Sequence, residues 1–112
     1  MERSMEDVYA LLRRLGVGAN YKGFFPTADA VWLCVQSEDN LTLVTKRLYP
    51  EIARKYKTSW GAAERNIRTV AEVVWERNPV LLSKLAGFSL AQRPSATQFL
   101  DILTASLLRG SS

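Results

Sequence analysis

The stretch Tyr49-Pro50-Glu51-Ile52-Ala53-Arg54-Lys55-Tyr56-Lys57-Thr58-Ser59-Trp60-Gly61-Ala62-Ala63-Glu64-Arg65-Asn66-Ile67-Arg68 decides the fold. Its informative positions fall as Ile52-Ala53-x-x-Tyr56-x-Thr58-Ser59-x-x-Ala62-Ala63-x-x-x-Ile67, the spacing of two helices joined by a tight turn. Ile52 and Tyr56 point to the core, the small Ala53 lets the helices approach closely, and Ser59 can cap the second helix with its hydroxyl. The turn at Lys57 lacks the glycine often found at such a place. Projected at about 100° per residue, Ala63, Ile67, Val70, Ala71 and Val74 share one arc of the second helix, while Gly61, Glu64, Arg65, Arg68 and Glu72 share another. One face packs and the other is free, which makes residues 50–77 a helix-turn-helix.

Charge concentrates in the same place. Between Lys46 and Arg68 stand seven bases (Lys46, Arg47, Arg54, Lys55, Lys57, Arg65, Arg68) and two acids (Glu51, Glu64), a local charge of +5. The whole chain carries 15 bases and 11 acids, so the remainder is close to neutral at −1. A basic stripe on a neutral body, carried by a helix-turn-helix, fits a polyanion: one helix enters a DNA major groove while Lys and Arg hold phosphates.

Outward from this motif the punctuation describes helices. Ser4 and Asp7 resemble a capping box ahead of Val8, Leu11, Leu12 and Leu15, and Gly16 stops that run. Glycines at 16, 18 and 23 with Pro26 make a connector, in which Tyr21 and Phe24 anchor the loop to the core. Thr27 is then the expected cap of a second helix carrying Ala28, Val31, Trp32 and Val35. A third helix is expected from Asn40 to Tyr49, with Leu41, Val44 and Leu48 inward, ended because Pro50 restricts the residue before it, and Pro50 then suits the first position of a fourth. After the motif, Asn78-Pro79 reads as a cap and first helical position ahead of Val80, Leu81, Leu82 and Leu85, up to Gly87. Ser95 with Gln98 forms a second capping box before Phe99, Ile102, Leu103 and Leu107, and Gly110 ends the fold. Trp32 and Trp75 read as core, and Trp60 as packing across the turn more readily than stacking on a sugar. No alternating strand pattern appears. The expectation is an all-α, single compact domain, 1–112, of about six or seven helices.

Composition narrows the function classes. With no histidine and one cysteine, Cys34, the chain offers no Ser-His or Cys-His pair and no zinc cluster. Neither a Gly-x-x-x-x-Gly-Lys loop nor a Gly-x-Gly-x-x-Gly fingerprint is present. No catalytic residues, metal site, cofactor or small-molecule substrate is therefore expected. Cys34 lies in the apolar run Ala30 to Val35 and reads as an inert core thiol in a reduced setting. No apolar stretch approaches the roughly 20 residues of a membrane span, and the charged start, Met1 to Asp7, is unlike a signal peptide. A cytoplasmic protein with no membrane partner is expected.

Several segments also carry a family resemblance: Gly16-Val17 with Tyr21-Lys22-Gly23-Phe24; Thr45-Lys46-Arg47-Leu48-Tyr49-Pro50-Glu51-Ile52-Ala53-Arg54-Lys55-Tyr56; Glu64-Arg65-x-Ile67-Arg68; and Val74-Trp75. Over residues 5–108 the chain resembles the C-terminal DNA-binding effector domain of the bacterial sporulation-initiation master response regulator, the stage 0 sporulation protein A family. No phosphoacceptor receiver domain lies within these 112 residues. The resemblance implies an all-helical fold whose fifth helix reads a short TGTCGAA-like box. Glu64, Arg65 and Arg68 match the base-reading positions, the arginines donating to guanine O6 and N7 and the glutamate accepting from a cytosine amino group. Phosphate contacts are expected from Lys46, Arg54, Lys55, Lys57, Thr58, Ser59 and Trp60, and from Arg93. Double-stranded DNA is the implied partner, with RNA polymerase and a tandem dimer on DNA as further ones. Ala62 stands where the family carries a basic residue, and Glu76-Arg77-Asn78-Pro79 replaces a small polar stretch. The competing reading is a helical protein-interaction module, or antagonist of a related regulator, in which Glu64 and Arg68 merely pair across one turn of a solvated face.

Overall fold

The computed structural model describes residues 4–110; 1–3 of the charged start and 111–112 lie outside. Among the described residues the chain forms seven α-helices and no strand: α1 (Met5–Arg14), α2 (Phe24–Gln36), α3 (Asp39–Thr42), α4 (Tyr49–Lys55), α5 (Trp60–Arg77), α6 (Pro79–Ala86) and α7 (Ala96–Leu108). A π-helical turn, Val44–Leu48, joins α3 to α4.

α2 runs through the centre and packs against α1, α3, α4, α5 and α7. Its Phe24, Ala28, Ala30, Val31 and Cys34 are buried, and α7 meets them with Phe99, Leu100, Ile102 and Leu103. α1 closes one side with Val8, Leu11 and Leu12, held at its start by the Ser4 N–H donating to the Asp7 carboxylate at 2.9 Å. Gly16, at φ +98°, turns the chain out of α1 in a conformation that side chains avoid. Burial pushes the Cys34 thiol up to about 11. It stays protonated at neutral pH and inert, as its apolar setting implied.

Two boundaries and the bonding of one cap differ from the sequence reading. α2 begins at Phe24, so Phe24 is a fully buried helical residue rather than a loop anchor, and Thr27 is interior to the helix, not its cap. Pro26 sits in the first turn, where a missing N–H costs nothing, and the Thr27 hydroxyl is buried without a partner. The expected helix from Asn40 to Tyr49 is instead the single turn α3, a break at Leu43 (φ −116°, ψ 39°) and the π-turn, which runs straight into α4. Pro50 opens the next helix as expected, but it does not end one there. It occupies the first turn of α4 and offers no N–H to the carbonyl four residues back, and the chain widens just ahead of it, with Tyr49 N–H donating to the Val44 carbonyl. The widened turn lets adjacent Leu48 and Tyr49 both face the core while Lys46 and Arg47 face out. Finally, Asn78 does not cap α6 with its side chain; its amide reaches back to the Arg14 carbonyl at 3.4 Å.

The connector after α1 is pinned to α5. Arg77 Nη1 donates to the Gly16 carbonyl at 3.0 Å, and the Arg77 guanidinium lies 5.4 Å from the Tyr21 ring centroid. Gly23 is buried where α2 starts against α5, and a Cβ there would come within 2.8 Å of Val70 Cγ2 and closer still to the Asn66 carbonyl. The backbone carbonyl cannot yield as a side-chain tip can. Gly23→Ala is therefore expected to cost about 1–3 kcal/mol, read in urea as a lower midpoint with unchanged slope; an unchanged midpoint would refute the close approach.

A helix-turn-helix with one charged face

α4 and α5 form the helix pair expected from residues 50–77, and the packed face of α5 is Ala63, Ile67, Val70, Ala71 and Val74, as projected. The turn between them is a Schellman motif: Lys57 N–H donates to the Arg54 carbonyl at 3.3 Å and Thr58 N–H to the Ala53 carbonyl at 2.9 Å. Its left-handed position is Lys57, at φ +53°, the one non-glycine residue with positive φ among those described. The missing glycine therefore did not change the turn; it left strain in it. Two residues on, Ser59 caps α5, its hydroxyl accepting from Ala62 N–H at 3.1 Å.

The end of α4 is tied to α2 by a residue the sequence reading missed. Asp29, whose side chain is only 15% exposed, accepts the Tyr56 hydroxyl and pairs with Lys55 Nζ at 2.8 Å through the same oxygen, Oδ2. Burial and the Asp29 carboxylate push the Tyr56 phenol well above its ordinary value. No sequence pattern marks Asp29, which reads as an ordinary surface acid of α2. Burial likewise raises Tyr49, against the opposing effect of its hydrogen bond with the Thr97 hydroxyl.

All expected contact residues reach the surface. Arg65 and Arg68 are exposed and Glu64 half-buried on the outer face of α5. Glu64 and Arg68 face each other at 3.8 Å, and Arg93, from the segment before α7, pairs with Glu72 of the same face at 2.8 Å. That pair brings Arg93 beside α5 across some twenty residues of sequence. Lys46, Lys57, Thr58 and Ser59 are exposed, and Arg54 faces Glu51 at 3.6 Å. Trp60 does not pack across the turn as expected; as the first residue of α5 it is 55% exposed. Trp32 and Trp75 are half-buried against the core. Among the described residues Lys46, Arg47, Lys57 and Arg65 have no carboxylate within 4.0 Å, and no group of acids, Cys or His could hold a metal.

α5 is thus a capped helix that presents Glu64, Arg65 and Arg68 on one face, behind a basic turn. Residues 8–107 match the family model described as the C terminal of sporulation initiation factor Spo0A. The chain belongs to this family. It is thus a DNA-binding effector domain of the transcription-regulator class, not one of an enzyme class. In this member of the family the turn is strained at Lys57, and no helix is long and apolar enough to cross a membrane among the described residues.

Relieving that strain is measurable. Lys57→Gly is expected to raise stability by about 1 kcal/mol, the cost of a left-handed side-chain residue less the entropy of a glycine; lowered stability would refute the strain. Because the Tyr56 phenol is raised in the folded state, its contribution is complete below its ordinary 10.0 and is lost as pH rises beyond that. Tyr56→Phe should flatten the alkaline decline of the urea midpoint above about pH 10.

Proposed function

We propose that this domain is a sequence-specific, double-stranded DNA-binding transcription regulator whose α5 reads a TGTCGAA-like box in the major groove. The observation that carries the reading is Arg65, exposed and without a carboxylate partner on a helix capped by Ser59, with Glu64 and Arg68 on the same face. Arg65 and Arg68 donate to guanine edges and Glu64 accepts from a cytosine amino group. Lys46, Arg54, Lys57, Thr58, Ser59, Trp60 and Arg93 supply phosphate contacts, which set register and most of the affinity; Lys55 is engaged by Asp29 in the free protein. A tandem pair on adjacent boxes and a contact with RNA polymerase belong to the same proposal, as does action in the bacterial cytoplasm as one domain.

One observation favours a second reading. The Glu64–Arg68 and Glu72–Arg93 pairs quiet the charge of the α5 face, as a helical interaction module or antagonist without sequence reading would allow. The two readings part on one experiment: fluorescence anisotropy of a labelled duplex with a tandem TGTCGAA-type box against a scrambled duplex. A preference of at least about a hundredfold is expected. Arg65→Ala or Arg68→Ala should remove roughly 1–3 kcal/mol of discrimination at one base each. Equal weakening on both duplexes would sink base reading, and no binding to either would favour the interaction module.

A further inference from the structure

The clamp at the end of α4 bears on the DNA contacts directly. Lys55 is one of the seven cations of the basic window, and its side chain is 61% exposed, two residues before the strained Lys57 and four before the Ser59 cap. Its ammonium nonetheless sits on Asp29, with Nζ 2.8 Å from Oδ2 and 5.7 Å from the Tyr56 ring centroid. Asp29 is mostly buried and held on the central helix α2, and it also receives the Tyr56 hydroxyl. The carboxylate is thus fixed by the core, and the flexible lysine stem comes to it. The other acids that pair with cations of this surface, Glu51, Glu64 and Glu72, meet arginines at side chains 27–44% exposed, against 15% for Asp29. A pair with one well-desolvated, doubly held partner is the hardest of these for a phosphate to exchange.

We infer that Asp29 withholds Lys55 from DNA, limiting the number of phosphates that the helix-turn-helix neutralises while fixing the turn that launches α5. Asp29 is a positioning residue: it acts on the nucleic acid through Lys55 and Tyr56. The inference rests on the DNA-binding reading above, and deepens it by removing one expected phosphate contact and assigning it a structural partner.

The slope of log K against log salt counts phosphate contacts, at about 0.9 per contact on duplex DNA, and a purely structural role for Asp29 would not move it. The test is anisotropy over a salt series with the full chain, on box and scrambled duplexes. Asp29→Asn keeps an acceptor for the Tyr56 hydroxyl and frees Lys55, so the slope should steepen by about 0.9 on both duplexes, with tighter binding at low salt and an unchanged ratio between them. Asp29→Asn with Lys55→Ala should return the slope to that of the parent. Lys55→Ala alone, which stays informative if Asp29→Asn fails to fold, should leave the slope unchanged. A slope shallower by about 0.9 in Lys55→Ala would show that Lys55 reaches a phosphate in the parent and overturn the inference. So would an unchanged slope in a folded Asp29→Asn, or a steepening that survives the loss of Lys55. The ratio between duplexes reports on box reading and the slope on Asp29, so failure of either is seen separately.

Discussion

The burial of α2 is the constraint on which the rest depends. A helix that packs on five others must be apolar nearly all round, and Phe24, Ala28, Ala30, Val31 and Cys34 supply that surface. The small residues among them let neighbours approach, and Gly23 extends the principle to the backbone, where nothing larger fits beneath Asn66 and Val70 of α5. α5 is therefore located from its middle outward, by Ile67, Val70, Ala71 and Val74 against the centre. The opposite face of α5 projects to solvent along the same turns, and that face carries Glu64, Arg65 and Arg68.

Two departures from regular helix serve that projection. The π-turn at Val44–Leu48 inserts a residue ahead of Pro50 and so changes which side chains face inward, giving the core Leu48 and Tyr49 together and the solvent Lys46 and Arg47 together. π-turns inside helical segments recur at functional sites, and here the consequence is a basic flank at the start of the motif. The Schellman turn at Lys57 then ends α4 at the one place where a left-handed residue is needed. A lysine there costs stability but adds a cation beside α5. Such strain persists where the surroundings over-determine the conformation. Asp29, gripping both Lys55 and Tyr56, is part of that determination.

The charged surface is less open than its composition suggests. Arg54, Lys55, Arg68 and Arg93 each face a carboxylate, whereas Lys46, Arg47, Lys57 and Arg65 do not. The exposed pairs of Arg54, Arg68 and Arg93 contribute little to stability, and they exchange readily for phosphate or base acceptors, whereas Lys55 stays on the mostly buried Asp29. Their effect is to hold long side chains in place before a ligand arrives. Arg93, brought beside α5 by Glu72, is the case in which such a pair joins two distant parts of the sequence on one surface.

Local signals carried far in this chain. The buried stripe of α5, the Ser59 and Ser95 caps and the stop at Gly16 depend on residues within one or two turns of each other, and each stands where the residues implied. The errors share a cause. Thr27 is a good cap in isolation, but Pro26 fits the first turn of a helix that tertiary packing starts earlier, at Phe24. Pro50 is a good stop in isolation, but the π-turn lets helix continue through it. Trp60 was expected to find a surface across the turn, and α4 leaves none for it. The sequence by itself determined the helical class, the two-helix motif, the packed face of α5 and the basic window, because periodicity, capping and charge are short-range properties. Only the tertiary structure decided which cations are free, since Asp29 meets Lys55 and Glu72 meets Arg93 across 26 and 21 residues of chain. Pairing at that separation depends on where whole helices pack, which no local pattern encodes.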